Sequence, residues 1–163
     1  MVSRIPGVIS TSVEHESVTR ALRNTYSSSL MSDTKWRKLF SALKGLPSID
    51  HYFLKRIRDE EEGAGYGRFD PWPPHAFIDT ASFGPLYLSE IEWIEFPNIV
   101  PKRKYGPTPP GGHHQDLQGL RLALDSIGKF PIEETLRGLR IIGHVLSARR
   151  DTKSKGQQQA AEL

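Results

Sequence analysis

Trp36, Leu39, Phe40 and Leu43 recur at the i, i+3, i+4, i+7 spacing of an α-helix, with Lys35, Lys38 and Lys44 off the stripe. Ser32, Asp33 or Thr34 supplies a side-chain oxygen to cap free backbone N–H groups at the start of this helix, and Gly45 and Pro47 stop it. A helix that is apolar along one side cannot stand alone in water. The chain must therefore supply a second layer to cover it.

That layer is legible as strands. Glu90–Phe96 is rich in β-branched and aromatic residues, with Ile91 and Trp93 on one face and Ile94 and Phe96 on the other. The change of phase at Trp93-Ile94 predicts a β-bulge or a strand covered on both faces. Ile49–Arg58, with Phe53, Leu54 and Ile57, reads as a strand, and Asp59–Gly65 as a polar turn whose four adjacent carboxylates belong in water. Phe69–Pro74 reads as a proline-fixed loop leading to the short apolar pairs Phe77-Ile78 and Leu86–Leu88. Leu117, Leu120, Leu124 and Ile127 give a second amphipathic helix ended by Gly128. Ile132–Leu136 and Leu139–Val145 then form a hairpin turned at Arg137-Gly138. The order predicts a two-layer α+β fold, a mostly antiparallel sheet with two amphipathic helices on one face, burying the Trp36 and Leu120 stripes against Ile91, Trp93 and Ile141.

At 163 residues the chain has room for one domain and two tails. Residues 1–31 read as a flexible N-terminal extension, with Tyr26–Ser29 as linker; 32–149 as the α+β domain; and 150–163 as a disordered, basic and Gln-rich tail. Met31 is the one methionine besides Met1 and a second point at which translation could begin. Pro97–Gly112 carries Pro101, Pro107, Pro109 and Pro110 and predicts a long exposed loop.

The net charge of +3 lies in the tails, because residues 31–148 carry 15 basic and 15 acidic side chains. A nucleic-acid-binding domain concentrates cations on its folded surface, so phosphate recognition by the domain is not expected. The absence of cysteine excludes disulfides and thiol chemistry and suits a reducing, cytoplasmic compartment. No apolar run reaches the roughly 18 to 20 residues that span a bilayer. Glu14 and Glu16 argue against a transit peptide.

Few residues point to chemistry. His113 and His114, with Asp116, form the one cluster suited to a metal, and His75 or His144 would have to complete the set. Glu90, Glu92 and Glu95, or Glu133 and Glu134, have the composition of an acid–base pair but also that of a solvated strand face. A nucleophile elbow, a Walker loop and a dinucleotide fingerprint are all missing, so neither catalysis nor a cofactor is expected. Phe69 and Trp72, in the proline-rich loop, are either exposed interface anchors or lids folded back on the core. Lys102, Arg103, Lys104 and Tyr105 combine cations with a ring that can stack on a base or a partner.

Three stretches, Thr34–Phe40, Glu90–Glu95 and Asp116–Val145 with its Phe130-Pro131-Ile132-Glu133-Glu134-Thr135 centre, resemble a group of small bacterial proteins of unknown function. Some of these look like immunity proteins of toxin systems. The resemblance implies a cytoplasmic, non-catalytic domain that binds a protein partner, a toxin in the immunity reading, and it carries no catalytic residues. The expected contact residues are Phe69, Trp72, Lys102, Arg103, Lys104 and Tyr105. A nucleic-acid-associated accessory protein and a metal-dependent enzyme centred on His113 and His114 are the alternatives.

Overall fold

The computed structural model describes residues 25–67, 69–71, 76–102 and 112–147, together with the single positions 16 and 20. Its centre is a five-stranded antiparallel sheet of order β3-β2-β7-β9-β8. These strands are β2 (His51–Arg56), β3 (Gly63–Tyr66), β7 (Ile91–Pro97), β8 (Ile132–Glu134) and β9 (Gly138–Ile142). Helices α1 (Asp33–Lys44) and α2 (Leu117–Ile127) cover one face. A smaller sheet of β4 (Phe69–Pro71), β5 (Phe77–Thr80) and β6 (Leu86–Tyr87) packs beside α1, and a ribbon pairs β1 (Tyr26–Ser29) with β10 (His144–Leu146). The α+β class and the antiparallel pairing agree with the sequence reading.

Both helices start as their sequences dictate. The Ser32 hydroxyl accepts from the Lys35 N–H at 3.2 Å, and the Asp116 carboxylate accepts from the Gly119 N–H at 2.9 Å. Trp36, Leu39, Phe40 and Leu43 of α1 and Leu120 and Leu124 of α2 are buried against Leu54, Ile91, Ile94, Phe96 and Ile141. Phe40 lies parallel to Trp36 at 5.8 Å and meets Phe69 at 4.6 Å, and Phe69 in turn meets Tyr52 at 4.6 Å. This aromatic run joins the helix layer to both sheets. Burial pushes the Tyr52 phenol up to about 12.

β7 is buried along all seven residues. Its register against β2 skips Glu92, since Lys55 faces Trp93 while Arg56 faces Ile91. The chain thus carries both predicted features, a bulge and a strand covered on two sides. Ile91, Ile94 and Phe96 point to the helices. Trp93 does not: it pairs across from Ile142 on the opposite face, where Arg140 lies over its ring, so the expectation that Trp93 joins the helix-side core is corrected.

Four further segments differ from the sequence reading. Gly63–Gly65, expected within the polar turn, lies in strand β3 paired with β2. Tyr26–Ser29, expected as linker, is strand β1, and Met31 behind it is core, because β10 offers a free strand edge that satisfies the backbone of a serine-rich segment. Phe69–Pro71 is a strand on β5 rather than loop. The strand expected over Leu139–Val145 breaks at Gly143, whose N–H donates to the Glu92 carbonyl at 2.7 Å. A Cβ there would stand 2.2 Å from the Ile91 carbonyl oxygen and 2.9 Å from the Trp36 indole, so the turn passes β7 only as glycine.

Phe40→Ala removes the ring that joins α1 to the small sheet. It is expected to cost about 3–5 kcal/mol, read as a lowered denaturant midpoint with little change in slope.

Candidate functional site

The bulge sends Glu92 as well as Trp93 and Glu95 to the sheet face away from the helices. Glu95 has no exposed side-chain surface. Its carboxylate accepts from the Thr135 hydroxyl, from Arg137 Nη2 and, at 3.3 Å, from Arg140 Nη2. Arg137 also forks onto Glu62, with one arm at 2.9 Å. The Arg137 guanidinium lies 4.2 Å over the Phe53 ring and that of Arg140 lies 4.0 Å over Trp93. Arg137 holds the Glu62 carboxyl below its ordinary range, and the two carboxylates raise the guanidinium further above its own.

Glu92 is served from other elements. Its Oε2 accepts from Lys55 Nζ at 2.5 Å and from the Tyr26 hydroxyl at 2.6 Å, which ties β1 to β7. Glu90, before β7, has Arg58 Nη2 at 3.6 Å. These three glutamates are therefore buried and ion-paired, not members of a solvated strand face. Each sits among neutralising partners, so the open sheet face is rich in charge but balanced.

A second polar cluster lies where β2 begins. Gln115, 3 % exposed, uses its whole amide: Oε1 accepts from the Asp50 and His51 N–H groups at 3.0 Å each, and Nε2 donates to the His51 and Pro97 carbonyls at 3.0 and 2.8 Å. Val100 donates to the His113 carbonyl at 2.9 Å, and Gln115 N to the Asn98 carbonyl at 2.8 Å, which pins the two ends of the Pro97–Gly112 segment together. Asp50, His51 and His113 are brought side by side as a result. His51 Nδ1 is 2.6 Å and His113 Nε2 is 3.8 Å from Asp50 Oδ1.

The residues expected from sequence fall out unevenly. Phe69 is a core residue, 4 % exposed, and takes the inward of its two expected roles. Lys102 is exposed. Trp72, His75, Arg103, Lys104 and Tyr105 lie outside the described residues. His114 bridges to Ile99, Asp116 caps α2, and His144 sits in the β1–β10 ribbon against Tyr26 and the Ser89 carbonyl, so these three do not gather round His113. Among the described residues the group with metal-ligand geometry is Asp50, His51 and His113. Asp50 and His51 carry no local motif, being 62 residues or more away from His113 in the chain.

Fold and site together define a small two-layer α+β domain with a neutralised, aromatic-backed sheet face. No described helix is long and apolar enough to cross a membrane. The chain belongs to DUF6678, a family of unknown function, whose model matches residues 18–147. The match agrees with the expected domain of unknown function and takes in β1 as well as the segment after Met31. No curated protein and no solved structure matches the chain.

Glu95→Ala leaves Arg137 and Arg140 facing each other without their shared anion. We expect a loss of about 2–3 kcal/mol, below the roughly 3–5 kcal/mol of a fully buried pair because Arg137 reaches solvent, measured by urea unfolding. Burial pushes the His144 imidazole below its ordinary value, with the Ser89 carbonyl and Glu92 opposing the shift. The unfolded chain therefore binds this proton first as pH falls. The contribution is fully present above about pH 6.5 and is lost below it, so His144→Gln should flatten the decline of stability between about pH 7 and 5.

Proposed function

We propose that this domain is non-catalytic and binds a protein partner through the tip of the β8–β9 hairpin and the adjoining open sheet face. The observation that carries this reading is Leu136, a large apolar side chain that is 109 % exposed at the hairpin tip. The tip is braced rather than loose: the Thr135 hydroxyl accepts from the Arg137 and Gly138 N–H groups at 3.2 and 3.1 Å, and Arg137 is clamped by Glu62 and Glu95. These bonds fix the turn around Leu136, which leaves its apolar side chain in water and available to a partner.

Beside it runs a shallow groove of about 410 Å³ lined by Leu117, Arg121, Glu134 and Leu139. Arginines stacked on Phe53 and Trp93 add the residue types that dominate protein interfaces. Trp72 and Tyr105 remain expected contact residues from the sequence alone and lie outside the described residues. The likeness to immunity proteins supports a bacterial toxin as the partner and the cytoplasm as the setting.

The nucleic-acid alternative draws less support. Lys55, Arg56, Arg121, Arg137 and Arg140 are each ion-paired within the domain and so have less to offer phosphate.

The test is capture from the source cells by the tagged full chain, with nuclease treatment in parallel. One stoichiometric, nuclease-resistant protein is expected, lost with Leu136→Asp while thermal stability stays within about 0.5 kcal/mol of the parent. Capture that survives Leu136→Asp, or that vanishes with nuclease, overturns the reading.

A further inference from the structure

His51 is a buried imidazole that lies beside a carboxylate and a second imidazole. Its side chain is 8 % exposed, and among the described residues its Nε2 has no hydrogen-bond partner. An orphaned buried polar atom costs about 1–3 kcal/mol, so the ring is held in place through its other nitrogen. Here the one engaged nitrogen, Nδ1, faces the Asp50 carboxylate at 2.6 Å, and the His113 ring stands edge-on to that of His51 at a centroid distance of 5.7 Å. At 2.6 Å either an Nδ1–H donates to the Asp50 carboxylate or a metal ion joins the two groups.

The cluster fits the second case as well as the first. The ligand atoms of Asp50, His51 and His113 all lie within 4.8 Å of one another. Metal–nitrogen bonds of about 2.0–2.1 Å place tetrahedral neighbours about 3.3 Å apart. The 2.6 Å pair has to open by about 0.7 Å and the 3.8 Å pair to close by about 0.5 Å, and the third pair, His51 with His113, lies within 4.8 Å, so side-chain rotations have to bring the three groups together. Two imidazoles and a carboxylate are ligands for a borderline first-row divalent ion rather than for calcium or magnesium.

The backbone is preorganised for such a role. The four hydrogen bonds of Gln115 hold Asp50 and His51 in place, and the Val100 N–H holds the His113 carbonyl. Asp50 and His113 are each more than one-third open to solvent on their side chains or close to it, at 35 % and 42 %, so an ion can enter and keep a water.

We propose that Asp50, His51 and His113 form a binding site for one Zn²⁺-like divalent cation, with a remaining coordination position open to solvent. This site is separate from the Leu136 surface and does not depend on the partner reading.

The experiment titrates ZnCl₂ into the chelator-stripped full chain by calorimetry and follows the melting temperature in parallel. One saturable site per chain is expected, with a rise in melting temperature. His113→Ala, a change at a half-exposed side chain that leaves the core intact, should weaken binding by at least about tenfold and abolish the thermal shift. His114→Ala, the neighbouring histidine bridged to Ile99, should change neither. No saturable binding, or equal affinity in the parent and His113→Ala, overturns the proposal, as does a loss that tracks His114 instead of His113.

Discussion

Strand β7 is the constraint to which the rest of the fold answers. It is the middle strand of five and buried on both faces, yet its sequence puts Glu92 and Glu95 among the buried positions. A carboxylate taken out of water costs several kcal/mol unless partners replace its hydration. Each flanking element provides some: Lys55 from β2, Tyr26 from β1, Thr135 and Arg137 from the β8–β9 turn and Arg140 from β9. The β1–β10 ribbon and the β8–β9 hairpin are thus fastened to the sheet by charge as well as by ladder hydrogen bonds. Geometry that satisfies two glutamates at once admits few alternative registers.

Gln115 is the second fastening, and it works where the sheet cannot. The start of β2, the end of β7 and the entry to α2 meet at a place with no regular ladder. One amide with two donors and two acceptors closes all of it. The same four bonds fix the peptide on which Asp50 and His51 sit. A structural demand, satisfying backbone groups at a junction, has the consequence of holding chemically capable side chains in one arrangement.

Much of the architecture was readable because it rests on local signals. The α1 stripe of Trp36, Leu39, Phe40 and Leu43, the Ser32 cap, and the double-faced character of Glu90–Phe96 each lie within a dozen residues of chain. What escaped depends on distant partners. Tyr26–Ser29 has the composition of a linker, and only β10, more than a hundred residues on, makes it a strand. Phe69 beside prolines reads as an exposed anchor until Phe40 and Tyr52 close over it. Trp93 reads with Ile91 until the bulge at Glu92 turns it to the other face. The Asp50, His51 and His113 group has no spacing signature at all, since its members meet through the Gln115 junction.

The balance of charge on the open sheet face bears on what such a surface can recognise. Arg137 and Arg140 already carry Glu62 and Glu95, so a polyanion would have to displace internal partners, one of which is fully buried. Recognition led by free cations is therefore poorly served there. Recognition led by shape is better served, because stacking on Phe53 and Trp93 and the fork onto two carboxylates hold the guanidinium planes in fixed orientations. Little side-chain entropy is left to lose when a partner docks on groups already held this way. The same internal pairing that lets β7 bury its glutamates thus braces the sheet face and the turn at Leu136, as the proposed partner-binding role requires.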